Sequence, residues 1–279
     1  MEQKDNFFRR VWRRATAVGI PELEEIEQFG ADGEEAIYRL LRDQFDCVIR
    51  NVVIPHKNLY LEKDFLVIHR GVPFVLEIKN WKGRIGCEGE NFYQDKTDGT
   101  HKVLKSPVGT TKQFISRMKE YYNLTRYVYG MVVFAEPDCE LDLPDSMDGI
   151  LLTPAAKVIP TIKSAVRESE KVFADTLRPE SILRCTRFYT LNAEFCKGIV
   201  TDEVIPCYTE DGTPAALDPL FLHYMTLDHQ PLRMRDRMTV TFINGSSGVF
   251  YNHDAILTVQ TLDGSCRKIA LSRVRNVVF

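Results

Sequence analysis

The sequence predicts an α/β protein: a mixed β-sheet flanked by helices, followed by a small all-β module. Three observations lead there. From residue 29 to about residue 180, amphipathic helical runs alternate with short apolar strand-like runs. Within that region, Lys63 to Lys79 reads as two apolar β-type runs around a Gly/Pro turn, a hairpin. The last fifty residues change character, to short strand-like runs separated by Gly-rich turns. With 279 residues the chain suits two domains, or one with a sizeable extension, and its 44% apolar and 27% charged content is ordinary for a globular protein.

In chain order, residues 1–28 form a basic and then acidic helical lead-in. Arg9, Arg10, Arg13 and Arg14 sit among Phe7, Phe8, Val11 and Trp12, and no apolar stretch follows them, so the segment is not a signal peptide. The run from Gly33 to Phe45 is an amphipathic helix, with Asp32 as N-cap and Glu35 completing a capping box. Glu35 also stands four residues before Arg39. Glu34 has neither job. It shares the face of Ile37, Tyr38 and Leu41, which should meet the sheet. A carboxylate aimed into a packed sheet needs a cation.

A strand follows near Val48 to Ile54, then the hairpin. Gly83 to Pro107 reads as a loop, with a turn signal at Gln94 to Gly99. A helix is expected from about Thr110 to Thr125, and Tyr129 to Ala135 reads as a buried central strand. Glu136 to Asp148 carries six acids and no Lys or Arg. Such a segment would avoid phosphates or guard a site. Ile150 to Leu152 is a further strand, and Pro160 opens a helix to about Phe173. These elements make a domain of residues 29–180, and residues 181–230 connect it to the module at 231–279. There Met238–Phe242, Ala255–Thr261 and Arg267–Leu271 are strands, with turns at Asn244–Gly248 and Asp263–Gly264. The spacing suggests a small SH3-like β-barrel.

The chemistry concentrates in the hairpin. In the second run Val75, Glu77 and Lys79 share one face and Phe74, Leu76 and Ile78 the other. An acid and a lysine on a nearly buried strand must pair or hold a metal. With Asp64 in the first run, two carboxylates could hold a hard divalent cation beside an ammonium, as metal-dependent phosphodiester cleavage requires. The plain alternative is a strand-end Asp64 and a solvated Glu77/Lys79 pair.

The ordered set of residues supports the first reading. Gly30-x-x-Gly33-Glu34, then Val48 to Pro55, then Asp64 in its apolar strand, then Gly71-Val72-Pro73-Phe74-Val75-Leu76-Glu77-Ile78-Lys79-Asn80-Trp81-x-Gly83-x-Ile85 resembles the NERD (nuclease-related) domain of the PD-(D/E)XK nuclease superfamily. The resemblance covers about residues 29–135. It implies a restriction-endonuclease-like mixed sheet. Asp64, Glu77 and the Ile78 carbonyl would be metal ligands, Lys79 the catalytic lysine and Glu34 the helix acid. The family's Gln, on the helix after a Pro, falls nearest to Gln113, at a longer spacing than the family's. Gln113 reads equally well as a polar neighbour of the Phe114, Ile115, Met118, Tyr121 and Tyr122 stripe. The implied cofactor is Mg²⁺, with Mn²⁺ as substitute. The implied activity is nucleic-acid hydrolysis, of DNA before RNA.

The net charge of −3 gives no global nucleic-acid footprint, so any basic surface is local. Residues 231–279 hold seven Lys/Arg against three Asp, near Phe250, Tyr251 and His253. Arg267, Lys268, Arg273 and Arg275 are therefore the candidate nucleic-acid contacts, against a plain solvated surface. No run of 18 apolar residues exists, so no membrane helix is expected. The seven cysteines lack close pairing and point to a reducing, cytoplasmic setting, with Cys185, Cys196 and Cys207 as small buried apolar residues. His223 and His229 read as structural. No phosphate-binding Gly-x-x-x-x-Gly-Lys-[Ser/Thr] loop is present, so an ATP-driven step would come from a partner protein. The competing function is a non-catalytic nucleic-acid-binding or scaffold subunit of a larger defence or mobile-element complex. A homo-oligomer is compatible with either reading.

Overall fold

The computed structural model describes residues 24–279 apart from 46, 90, 97, 169–176, 191–194 and 231–233. The basic lead-in with its four arginines lies outside the described residues. The chain divides into two compact units, residues 24–56 with 61–182, and Leu183–Phe279 with the turn Lys57–Tyr60. Among the described residues no helix is long and apolar enough to cross a membrane.

The first unit opens with α1 (Glu24–Arg42). Strands β1 (Cys47–His56), β2 (Leu59–His69) and β3 (Val72–Lys79) follow. Next come β4 (Arg84–Glu88), β5 (Asn91–Asp95) and β6 (His101–Leu104), then α2 (Pro107–Tyr121) and β7 (Tyr129–Phe134). The unit closes with β8 (Glu140–Asp142), β9 (Ser146–Met147), β10 (Ile150–Pro154) and α3 (Val158–Glu168). Within the first unit the main sheet runs β1-β2-β3-β7-β10-β9. It is mixed as expected, with β2 antiparallel to β3, and β3, β7 and β10 mutually parallel. The β2–β3 turn has Arg70 and Gly71 both at positive φ, 49° and 76°. That is the backbone of a tight hairpin turn, and glycine takes it without steric cost.

Alternation along the strands sorts the core into two faces. Phe65, Val67, Phe74, Leu76, Ile78, Met131 and Val133 pack against Ile37, Tyr38 and Leu41 of α1 and Val158, Ile162 and Val166 of α3. Leu66 and Val75 pack against Phe114 and Met118 of α2 on the other face. Helices thus cover both faces of a sheet whose central strands are almost wholly apolar.

Two local expectations change. α1 does not start at Gly33. Among the described residues it is already helical at Glu24 and runs through Asp32 and Gly33, so Asp32 is no N-cap and the expected capping box is absent. The stretch read as a loop between Gly83 and Pro107 holds β4, β5 and β6, which with β8 form a second sheet in the order β6-β5-β4-β8. Ile85 and Phe92 bury this small sheet against Val132 and Phe134. Pro107 rather than Thr110 opens α2, at the first position, where its missing N–H costs nothing.

The second unit is built largely of one antiparallel sheet. β11 (Leu183–Arg184) precedes β12 (Thr186–Thr190), β13 (Phe195–Val200), β14 (Ile205–Tyr208) and β15 (Pro214–Leu217). Then come β16 (Leu222–Gln230), β17 (Arg235–Phe242), β18 (Ser247–Asn252), β19 (Ile256–Thr261), β20 (Cys266–Ala270) and β21 (Val274–Val278). The order of β12 to β21 in the sheet is β15-β14-β18-β17-β16-β21-β12-β13-β19-β20. β21 lies between β16 and β12, so strands from the expected connecting region complete the sheet of the expected module. Among the described residues the order leaves β15 and β20 at its two ends, and no closed barrel is seen. Cys185, Cys196 and Cys207 are buried, as apolar packing residues.

Candidate active site

The site forms where β2 and β3 stop pairing. Their ladder ends at Phe65 opposite Leu76. Beyond it the Ile78 N–H donates to Asp64 Oδ2 at 2.6 Å, so a side chain replaces the next backbone acceptor. The strand also breaks its alternation here. Alternation from Phe65, which packs on the α1 side, would turn Lys63 to that side too, yet Lys63 bonds Glu77 and Thr110 of α2.

Glu77 is the centre of charge. Its Oε1 lies 2.5 Å from Lys79 Nζ and its Oε2 lies 2.6 Å from Lys63 Nζ. Lys63 also reaches Thr110 Oγ1 of α2 at 3.3 Å. Regular alternation assigns Lys63 to the face opposite Glu77, so sequence reasoning missed it. The signal available was a lysine beside an acid in an apolar strand. Lys79 Nζ sits 6.0 Å from the centre of the Trp81 ring, within cation–π range.

The electrostatics follow from this crowding. Burial pushes the Asp64 carboxyl well above its ordinary value. Negative charge on Glu77 and Glu34 pushes it further, against the pull of Lys79 and the Ile78 N–H. Burial also opposes ionisation of Glu77, but Lys79 and Lys63 together outweigh it and hold that carboxyl below its usual range. Burial disfavours the Lys79 ammonium, yet Glu77 and Asp64 keep its pKa raised. Glu34 acts on both Asp64 and Lys79, which places the helix acid within electrostatic reach of the pair.

Glycine explains how α1 comes so near. A Cβ built on Gly33 would lie 2.9 Å from both Cβ and Cγ of Asn80, the residue after Lys79. Only a residue without a side chain lets the helix pass the end of β3 at this distance. Glu35 pairs with Arg39 at 2.9 Å, as its spacing suggests, and also with Arg50 at 2.8 Å. Arg50 is buried, over the rings of Tyr38 at 4.9 Å and Phe65 at 5.8 Å, and ties α1 to the sheet.

Asp64, Glu77 and Lys79 are thus brought together, with Glu34 within electrostatic reach of Asp64 and Lys79. Gln113 lies on an exposed part of α2, three residues after Thr110. The four basic candidates occupy separate parts of the second unit's sheet order. Arg267 and Lys268 are exposed on the end strand β20, Arg273 precedes β21, and Arg275 is exposed on β21. His229 Nδ1 is 2.9 Å from Asp236 Oδ1 across β16 and β17, and His223 is buried, both consistent with structural roles.

The donors suit a hard divalent ion. Asp64 and Glu77 offer only oxygen, and the raised Asp64 carboxyl marks a place short of positive charge. Among the described residues no three His, Cys, Asp or Glu side chains gather as a ready metal-holding group. The pair would therefore rely on a third oxygen, such as the Ile78 carbonyl. No curated protein and no solved structure matches the chain. One family does match, over the stretch that supplies each of these charged groups: residues 29–135 fit the model of NERD, the nuclease-related domain.

Proposed function

We propose that the chain is a metal-dependent nuclease that hydrolyses phosphodiester bonds, with DNA as the leading substrate. The observation that carries this reading is the meeting of Asp64, Glu77 and Lys79 at the frayed end of the β2–β3 ladder, within reach of Glu34. Asp64, Glu77 and the Ile78 carbonyl would hold Mg²⁺, or Mn²⁺ in its place. When bound, the ion supplies a water of lowered pKa and a Lewis acid for the phosphate.

The protein's own groups do the rest. Lys79 is the more exposed of the two ammonium groups on Glu77, 25% against 4% for Lys63. It is the one able to turn towards a substrate, to orient the attacking water or to meet charge developing on the phosphate oxygens. Glu77 keeps that ammonium protonated and positioned. Glu34 adds an acceptor for water on the α1 side.

The deciding experiment incubates the full chain with circular and linear DNA, and with RNA, in Mg²⁺, Mn²⁺ or EDTA. Cleavage in the metals and none in EDTA is expected. Full activity in EDTA refutes the mechanism. DNA retained without cleavage under every condition selects the other reading, a non-catalytic binding or scaffold subunit of a defence or mobile-element complex.

A further inference from the structure

We infer that Lys63 is a built-in cation on Glu77, a positioning residue that holds the carboxylate before a divalent ion arrives and competes with that ion for it. This rests on the metal-dependent reading of the site. Both Glu77 oxygens are engaged, Oε1 by Lys79 at 2.5 Å and Oε2 by Lys63 at 2.6 Å. The two ammonium groups differ in freedom. The Lys63 side chain is 4% exposed and has a second anchor in Thr110 Oγ1. That hydroxyl donates to the Pro107 carbonyl at 3.0 Å, which leaves its lone pairs for the ammonium. Lys79 can swing away from Glu77, whereas Lys63 is fixed between β3 and α2.

The strand departs from its regular alternation to place Lys63 there, and such irregularities are characteristic of sheet positions that re-aim a side chain. A buried lysine introduced beside an expected metal ligand has a definite electrostatic consequence. A divalent ion on Glu77 must approach a fixed like charge, and that repulsion is little screened in the interior. The ammonium therefore weakens metal binding. It strengthens the next step. Asp64, Glu77 and Glu34, once ionised, are opposed by two ammonium groups, so the metal-loaded site keeps a net positive charge to meet a phosphodiester anion. Without Lys63 the loaded site is neutral. Lys63 trades metal affinity for substrate affinity.

The test is calorimetric titration of the full chain with Mn²⁺ alone, comparing wild type, Lys63→Met and Lys63→Arg. Lys63→Met should bind Mn²⁺ at least about tenfold more tightly, and Lys63→Arg should stay close to wild type. In Mn²⁺, Lys63→Met should also bind a short duplex DNA more weakly than wild type. Equal Mn²⁺ affinity in wild type and Lys63→Met overturns the role of Lys63 and leaves the metal reading standing. Absence of Mn²⁺ binding in every protein overturns both. If Lys63→Met does not fold, Thr110→Val, which removes the second anchor together with the hydroxyl's bond to the Pro107 carbonyl, should bind Mn²⁺ more tightly than wild type. An unchanged affinity in that variant overturns the inference.

Discussion

Asp64 and Glu77 are the same chemical group in one small volume, yet burial and neighbours move them in opposite directions. Glu77 has two ammonium partners and Asp64 has two acidic neighbours. The raised Asp64 carboxyl keeps its proton in the fold at a pH where the unfolded chain has lost it. The folded state then binds more protons, so this group's contribution is full below the ordinary Asp value near 3.8 and falls as pH rises towards the raised one. The lowered Glu77 carboxyl has the opposite sign: its contribution holds above the ordinary Glu value near 4.5 and is lost as acid protonates it. In metal-free buffer at neutral pH, Asp64→Asn should raise Tm by a few degrees, because it removes an unfavourable charge and keeps an acceptor for the Ile78 N–H. Glu77→Gln should lower Tm, because it leaves two buried ammonium groups short of an anion. Thermal scans from pH 4 to 8 check both, and a destabilised Asp64→Asn would contradict this electrostatic account. In cleavage assays Glu77→Gln should abolish activity with binding retained, and Lys79→Ala should lower kcat far more than it changes Kd. Wild-type turnover in either variant refutes their roles. Asp64, Glu77, Lys79 and Glu34 were legible in the sequence because charge on an otherwise apolar face is conspicuous. Lys63 was not, because period-two counting assigns it to the wrong face, and only its contacts with Glu77 and Thr110 correct that.

At the scale of the element, the approach of α1 to β3 is set by one pair, Gly33 and Asn80. Replacing a helix-interior glycine by alanine ordinarily stabilises a helix by roughly 0.5–1 kcal/mol. Here the new methyl would sit 2.9 Å from two Asn80 atoms, so the helix or the strand end must shift. Gly33→Ala should therefore reduce cleavage by moving Glu34 away from Asp64, with the fold retained by circular dichroism. Adding Asn80→Ala should restore much of the activity. Two independent, additive losses would show that contact between these residues does not position the helix. The hairpin, β7 and the three helices were readable because each has a long apolar run or a clear period. The start of α1 was not, because Asp32 and Gly33 imitate a cap while the helix passes straight through them. β4, β5 and β6 are only four or five residues long, and their buried residues are confined to Ile85, Gly86, Phe92 and Gln94. They form because that short apolar set has the larger sheet to bury against, which is tertiary information.

At the scale of the whole molecule, charge and chemistry are separated. The paired carboxylates lie in the first unit, while the local basic excess of residues 231–279 lies in the second, in a chain of net charge −3. The turns of that second unit were legible, with Gly245 and Gly264 at φ of 82° and 87° as hairpin glycines require. Its extent was not, because β12 and β16 each take β21 as one partner, β13 takes β19 and β14 takes β18, pairings far along the chain that leave no local sign. The sheet order places Arg267 and Lys268 on end strand β20 and Arg275 on β21, which is flanked on both sides. If all four basic candidates contact phosphates, they supply affinity without sequence information. Replacing Arg267, Lys268, Arg273 and Arg275 together by Gln should then weaken DNA binding. It should also flatten the dependence of log K on log salt by up to about 0.9 per lost contact on duplex DNA. The rate at saturating DNA should change little, because none of the four lies in the unit that holds Asp64 and Glu77. Titrations at several salt concentrations measure the slope directly. A fall in affinity with an unchanged slope would mean that the substitutions disturbed the sheet and removed no phosphate contact. Unchanged affinity and slope together would make the second unit a packing or protein-interaction element, and would favour action within a larger complex.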